Sequence, residues 1–238
     1  MHRLILLFVL CAPLFSFGQG VVVVELFTSQ GCSSCPAADK NLTEILKESE
    51  KSGANVLALS FHVDYWDHIG WKDPYSSKDY TDRQKMYASV MNLSSIYTPQ
   101  MVVNGKTEFV GSNAKIARMA IEHALQETPA INISISKLIH NGEEWEFDYD
   151  IQQKKIPQGY LQVALVDRNV ENFVPRGENT GRHLHHDNVV RAFMLLEMRR
   201  TGHIKIKGPG DLSESSSLIV YAQDTDMKLL GATSKRLN

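Results

Sequence analysis

Residues 21–27 form an apolar, largely β-branched run broken only by Glu25, and the short turn after it leads into Cys32 and Cys35, with Ser33 and Ser34 between them. A run of this kind reads as a buried strand of a parallel or mixed sheet. From Ser33 onward Ala37, Ala38, Leu42, Ile45 and Leu46 recur at helical spacing, so a helix is expected from the cysteine pair to about Gly53. The pair therefore stands where a first strand runs into a first helix.

The same grammar continues as far as Thr128-Pro129. Residues 55–61 alternate as a strand, and Thr81-Asp82-Arg83-Gln84 has the form of a capping box. Met86, Tyr87, Val90 and Met91 then line one face of a second helix. Asn104-Gly105 between residues 101–103 and 107–110 predicts a hairpin. Ser112 or Asn113 caps a third helix carrying Ile116, Met119, Ala120 and His123 on its face. The order is strand, helix, strand, helix, strand, strand, helix.

Beyond residue 129 the segments 131–138, 145–151, 160–166, 189–196 and 218–223 read as strands, with no convincing helix among them. The expected fold class is α/β, a mixed sheet flanked by helices over residues 19–128, followed by a β-rich, sandwich-like domain over 129–238. Residues 168–188 read as a long polar loop, a length commonly tied to function.

At the start of the chain, His2 and Arg3 precede an apolar run over 4–17 that ends in Ser16-Phe17-Gly18. This is the pattern of a signal peptide over residues 1–18, since a spanning helix needs about 20 apolar residues. Export to the periplasm or beyond is expected, with no membrane span left after cleavage. Cys11 leaves with the signal, and Leu10 before it argues against a lipoprotein site. With 25 Lys and Arg against 27 Asp and Glu and no basic cluster, neither nucleic acid nor an anionic membrane surface is an expected partner.

Cleavage leaves Cys32 and Cys35 as the whole cysteine complement. A disulfide closing so short a loop stabilises little, so the pair is a poor staple, while an oxidising compartment lets it cycle. The Cys-x-x-Cys spacing also serves zinc sites and haem attachment, but zinc would want a second ligand pair and haem a His where Pro36 stands. A redox pair remains the favoured reading, with no cofactor and no metal site assigned. At a helix N-terminus Cys32 faces unpaired N–H groups and the positive end of the dipole, which favour the attacking thiolate, and Cys35 can resolve the mixed disulfide.

The element order is similar to the thioredoxin core, and the resemblance extends to Thr98-Pro99 before the third strand, where thioredoxin-like proteins carry a cis-proline facing the cysteines. If the third strand runs antiparallel to the first, Pro99 comes to lie beside Cys32, free to present a backbone edge to an extended peptide. Residues 24–32, 60–67 and 97–100, with Arg176-Gly177-Glu178-Asn179 and then His186, Asn188, Val189, Val190 and Arg191, resemble a narrower group. It is the bacterial family of secreted thioredoxin-like proteins catalogued as domain of unknown function 1223. The resemblance implies fold and export but no settled substrate. Two departures from ordinary thioredoxins stand out: Leu26 replaces the buried Asp six residues before the first cysteine, and Gly31 replaces the tryptophan directly before it. Cys35 is thus left without an assigned base, since alternation points Glu25 to the other face.

The loop after the second strand leaves on the same edge as Cys32, so His62, Asp64, Trp66 and Trp71 are candidates for a titrating partner and an aromatic wall. His183, His185 and His186 form a second polar group, for which a solvated loop and a metal site are both open readings. Three functions follow. The first is a thiol-disulfide oxidoreductase acting on protein or peptide thiols and disulfides. The second is a Cu(I)-binding or delivery module using Cys32, Cys35 and a His. The third is a non-catalytic cell-envelope interaction protein. The polar loop containing Arg176, Glu178, Asn179, His186, Asn188 and Arg191 is further expected to fold back over the edge that carries Cys32, Pro99 and the loop 62–71, restricting access to the thiolate.

Overall fold

The computed structural model describes residues 20–237, so the signal-peptide expectation for residues 1–18 lies outside the described residues. The first half runs β1 (Val21–Thr28), α1 (Cys35–Ser52), β2 (Asn55–His62), a 3-10 helix (Asp64–Ile69), α2 (Lys78–Val90), β3 (Gln100–Val103), β4 (Thr107–Val110) and α3 (Ala114–Ala124). The second is all strand: β5 (Ile133–Asn141), β6 (Glu144–Ile151), β7 (Tyr160–Asp167), β8 (Val170–Val174), β9 (Arg182–His186), β10 (Val189–Glu197), β11 (Thr201–Lys207), β12 (Ser217–Gln223) and β13 (Leu229–Arg236).

These elements make a mixed α/β, β-rich fold around an eight-stranded sheet in the order β13-β12-β7-β10-β2-β1-β3-β4. β1 pairs in parallel with β2 and antiparallel with β3, and β10 joins β2 in parallel through Val189 opposite Ser60. The change of texture near residue 129 is real in sequence, but strands from both sides of it belong to one sheet. Val190, Ala164 and Tyr221 pack in one core with Phe27, Leu59 and Phe61.

Alternation along β1 and β2 sorts the rest. Val22, Val24, Leu26, Val56 and Ala58 face α1 and α3, whereas Val23, Phe27, Leu57, Leu59 and Phe61 face Tyr80 and Tyr87 of α2. A separate three-stranded sheet, β11-β6-β5, packs Trp145, Phe147 and Tyr149 on Leu161, Val163, Leu218 and Val220, the sandwich-like part of the molecule. No described helix is long and apolar enough to cross a membrane.

The local signals placed most elements, with instructive exceptions. α1 ends at Gly53 with φ 71°, and Asn104 and Gly105, with φ 52° and 65°, form the hairpin turn as expected for residues that tolerate the left-handed region. The N-cap of α2 is Ser77 rather than Thr81, because Thr81 spends its hydroxyl on Asp64, at 2.5 Å. The buried face of α2 is Tyr80, Thr81, Arg83, Gln84 and Tyr87, while Met86 and Val90 are exposed. Apolar periodicity misplaced this face because the helix buries a charge that is paired across the core. In α3 the alanines Ala117 and Ala124 with Ile121 face inward, letting the helix lie close to the sheet, and Ile116 and Met119 point out. The stretch 168–188 is not one loop but the hairpin β8–β9, whose strands pair only with each other. Its polar residues hid the alternation that a half-buried strand shows.

Candidate functional site

After β1 the chain turns through Ser29, Gln30 and Gly31 into α1, with Cys32 N donating to Ser29 O at 3.2 Å and Cys35 N to Cys32 O at 3.2 Å. Pro36 occupies the first turn, where a missing N–H goes unnoticed. Cys32 and Cys35 are joined as a disulfide, and neither residue has exposed surface. A side chain at Gly31 would crowd Trp66, since its Cβ would stand 3.0 Å from Trp66 Cβ. Trp66 itself is fixed by Nε1 donating to Thr98 Oγ1 at 2.8 Å. Gln100 pairs with Phe27, so Pro99, behind a cis Thr98–Pro99 bond, sits at the exit of β1 next to the cysteine turn.

Over this turn lies the tip of the β8–β9 hairpin. Asn179, fully buried, donates through Nδ2 to Gln30 O and to Cys32 O, both at 2.9 Å. Glu178 Oε2 accepts from Ser33 N at 3.0 Å. α1 has no acidic residue of its own in its first turn, so Glu178 brings the anion that the helix end favours, and the Ser33 hydrogen bonds hold its carboxyl below the usual range. Gly177, with φ 79°, rests against Trp71, whose Nε1 donates to Gln30 Oε1 at 3.0 Å. The tip is thus hydrogen-bonded to the turn that carries the buried disulfide.

Beneath α1 the sheet face changes character. The alternation that gives Leu26 and Ala58 to the α1 core puts Thr28, Ser60 and His62 on the same side, nearer the cysteines. His62 Nδ1 meets Asp73 Oδ2 at 2.7 Å, and the same carboxylate oxygen accepts from Gln30 N at 2.8 Å. Burial alone would raise Asp73, but the charge of His62 and these hydrogen bonds outweigh it and set its pKa below the ordinary carboxylate value. The His62 ring packs edge-on against His186, centroids 4.7 Å apart, and His186 Nδ1 stands 3.4 Å from Asp39 Oδ2. That pair is in ion-pair range without hydrogen-bond alignment, and both Asp39 oxygens and both His186 nitrogens lack hydrogen-bond partners. Of the 11 buried side-chain atoms without partners among the described residues, eight belong to Thr28, Gln30, Asp39, Ser60, His62 and His186.

The structure thus gathers Cys32, Cys35, Thr98, Pro99, Trp66, His62 and His186 around one end of β1. Asp64 is tied instead to Thr81. Arg191 is drawn to Asp167 at 3.0 Å and Asp211 at 2.8 Å, above the Tyr75 ring, and Arg176 is exposed beside the tip. Of the polar loop expected to fold back, Glu178, Asn179 and His186 reach the cysteine edge, whereas Arg191 is held away by two carboxylates and Arg176 is exposed. Gln30, Asp39 and Asp73 went unnoticed in sequence. Asp39 alone carried a signal, a charge on the apolar stripe of α1 four residues after Cys35. Among the described residues no group of three or more His, Cys, Asp or Glu side chains is arranged to hold a metal ion.

No curated protein matches the chain. The crystal structure of protein AGR_C_4864 from Agrobacterium tumefaciens is similar, at 25% identity and a TM-score of 0.67 over 92% of this chain and 96% of that one. A family model described as protein of unknown function (DUF1223) matches residues 23–223. With its strand–cysteine–helix turn and the hairpin that covers it both inside the matched span, the chain belongs to the DUF1223 family.

Proposed function

We propose that this chain is an exported, thioredoxin-like thiol-disulfide oxidoreductase that exchanges dithiol and disulfide with a protein or peptide partner. Cys32 is the attacking sulfur, Cys35 resolves the mixed disulfide, and the backbone beside Pro99 receives the substrate strand. The observation that carries the reading is the Cys32–Cys35 disulfide at the N-terminus of α1, next to Pro99 at the start of an antiparallel third strand. A helix N-terminus stabilises the thiolate that attacks, and thiolate is the reacting species in exchange. The order β3-β1-β2, with helices on both sides, supports the thioredoxin-like assignment. Export rests on the residue pattern of 1–18.

The covering tip adds selectivity. A partner must displace Glu178 and Asn179 from the cysteine turn before its sulfur can reach Cys32, so small thiols that cannot hold the tip open react slowly. Insulin reduction by the mature chain, compared with Cys32→Ser, tests the activity, and equal rates would overturn it.

A further inference from the structure

Resting on that redox reading, we infer that the buried Asp39–His186 pair takes and returns the proton of Cys35 during exchange. Cys35, Asp39 and Thr43 are buried and follow one another a turn apart on α1. Along this edge α1 meets β9 and its end: Asp39 faces His186, and Thr43 Oγ1 donates to Asp187 Oδ2 at 2.6 Å. Side chains on a helix lean toward its N-terminus, so the Asp39 carboxylate is directed back along α1 toward Cys35, and residues four apart are surface neighbours at about 5–6 Å between Cβ atoms.

A carboxylate 3% exposed, with neither oxygen hydrogen-bonded, is costly to keep unless it has work to do or water to hold. Glu25, a buried carboxylate on β1, shows what a purely structural group looks like, for it is fully bonded to Arg83 and Tyr87. The titratable groups that act on His186 besides Asp39 are His62 from β2, whose ring packs against it, Asp73 from the loop before α2, and Asp187 after β9. Burial lowers the His186 pKa, but the charges of Asp39, Asp73 and Asp187 more than reverse this and raise it. The imidazole is thus suited to keep a proton close to Asp39.

In the reducing direction the Cys32 thiolate attacks one sulfur of a substrate disulfide. The substrate S–S bond breaks, its other sulfur leaves and takes a proton from water, and a Cys32–substrate disulfide remains. Cys35 then gives its proton to the Asp39–His186 pair as its sulfur attacks Cys32 Sγ. The Cys32–Cys35 bond forms and the second substrate sulfur leaves, so two electrons have passed to the substrate. In reverse, a substrate thiolate opens the Cys32–Cys35 bond and the pair protonates the departing Cys35.

Two measurements on the mature chain test this. In a Cys32→Ser background, with Cys35 as the one thiol, thiolate absorbance is followed against pH with and without Asp39→Asn; this needs no substrate. In the dithiol chain, rapid mixing with a chromogenic aromatic disulfide resolves attack by Cys32 from the second release, which is resolution by Cys35. Asp39→Asn is expected to move the Cys35 midpoint down, by removing a nearby anion, and yet to slow resolution about 100-fold with Cys32 attack within about twofold of normal. A slower step on a more acidic thiol marks a lost proton acceptor, whereas an electrostatic neighbour alone would speed the step. An unmoved midpoint, or a resolution rate unchanged or faster, overturns the proposal. His186→Asn, checked for native circular dichroism, supplies a second variant: it is expected to slow resolution and remove the pH dependence of that step above neutrality, and a wild-type profile would overturn its part. If the midpoint moves but the wild-type chain attacks no disulfide faster than a free thiol does, the redox reading itself fails, and the shift records only contact between Asp39 and Cys35.

Discussion

Two buried charged groups flank the same strand and are built in opposite ways. On the α2 side of β1, Glu25 accepts from Arg83 Nε at 2.6 Å, Arg83 Nη2 at 2.7 Å and Tyr87 OH at 2.6 Å, and Arg83 reaches on to Tyr221 and Gln223 at 2.9 Å each. The guanidinium also lies over the Phe193 ring, 5.1 Å from its centroid, tying α2 to the C-terminal strands. On the α1 side, Asp39, His186, Ser60 and Thr28 have buried polar atoms with no partner. The Glu25 carboxylate is fully bonded, with Arg83 Nη1 the one buried atom of that network left without a partner, and such a carboxylate resists a change of protonation, whereas the unbonded Asp39 carboxylate can accept a proton or a water with little rearrangement. The difference separates the part of the sheet that holds the fold together from the part available for chemistry.

The sharpest way to break this comparison is at the cysteines. Cys32→Ser is expected to bring disulfide exchange down to the uncatalysed rate while moving the urea midpoint little, because the loop it opens is short; a large loss of stability would make the pair structural after all. Next come the charged groups. Arg83→Met strands Glu25 without its cation and should cost about 3–5 kcal/mol in urea unfolding, whereas Asp39→Asn, with no hydrogen bond to lose, should cost at most about 1 kcal/mol. Comparable losses would erase the contrast between the two faces. Asn179→Ala leaves the Gln30 carbonyl unpaired and takes from the Cys32 carbonyl one of its two donors, Cys35 N remaining, a penalty of about 1–3 kcal/mol that falls on closure of the tip, so reduction of the disulfide by dithiothreitol should quicken by roughly tenfold. An unchanged rate would mean that the tip does not limit access.

The smallest effect expected is on pH. His186 is held above its ordinary value of 6.5, so it adds stability that is complete below that value and fades as pH rises through its folded pKa. Urea midpoints should therefore decline on the alkaline side of 6.5, and His186→Asn should flatten the decline. Asp73, whose pKa is lowered, acts in the other window: its contribution is present above the ordinary carboxylate value of 3.8 and is lost as pH falls through its folded pKa. A decline that survives His186→Asn would detach the pH dependence from the α1 side.

What the amino-acid sequence determined by itself is what depends on neighbours a few residues apart. The valine run, the turn and the apolar stripe of α1 placed Cys32 and Cys35 at a strand–helix junction, and Asn104-Gly105 set the hairpin that aligns β3 against β1. Even His62 was legible, because a loop leaving a parallel strand must emerge on the same edge as its neighbour. Tertiary structure alone decided the rest. The insertion of β10 beside β2, the clasp of Asn179 on Cys32 O and the pairing of Asp39 with His186 join residues more than 120 positions apart, and no local period records them. Helix and strand propensities are averages over a turn or a pleat, so they report which face is apolar but not which charge that face will meet. For that reason α2 was read by its exposed Met86 and Val90, while its buried Arg83 waited for Glu25, Tyr221 and Gln223 to be brought together by the folded sheet.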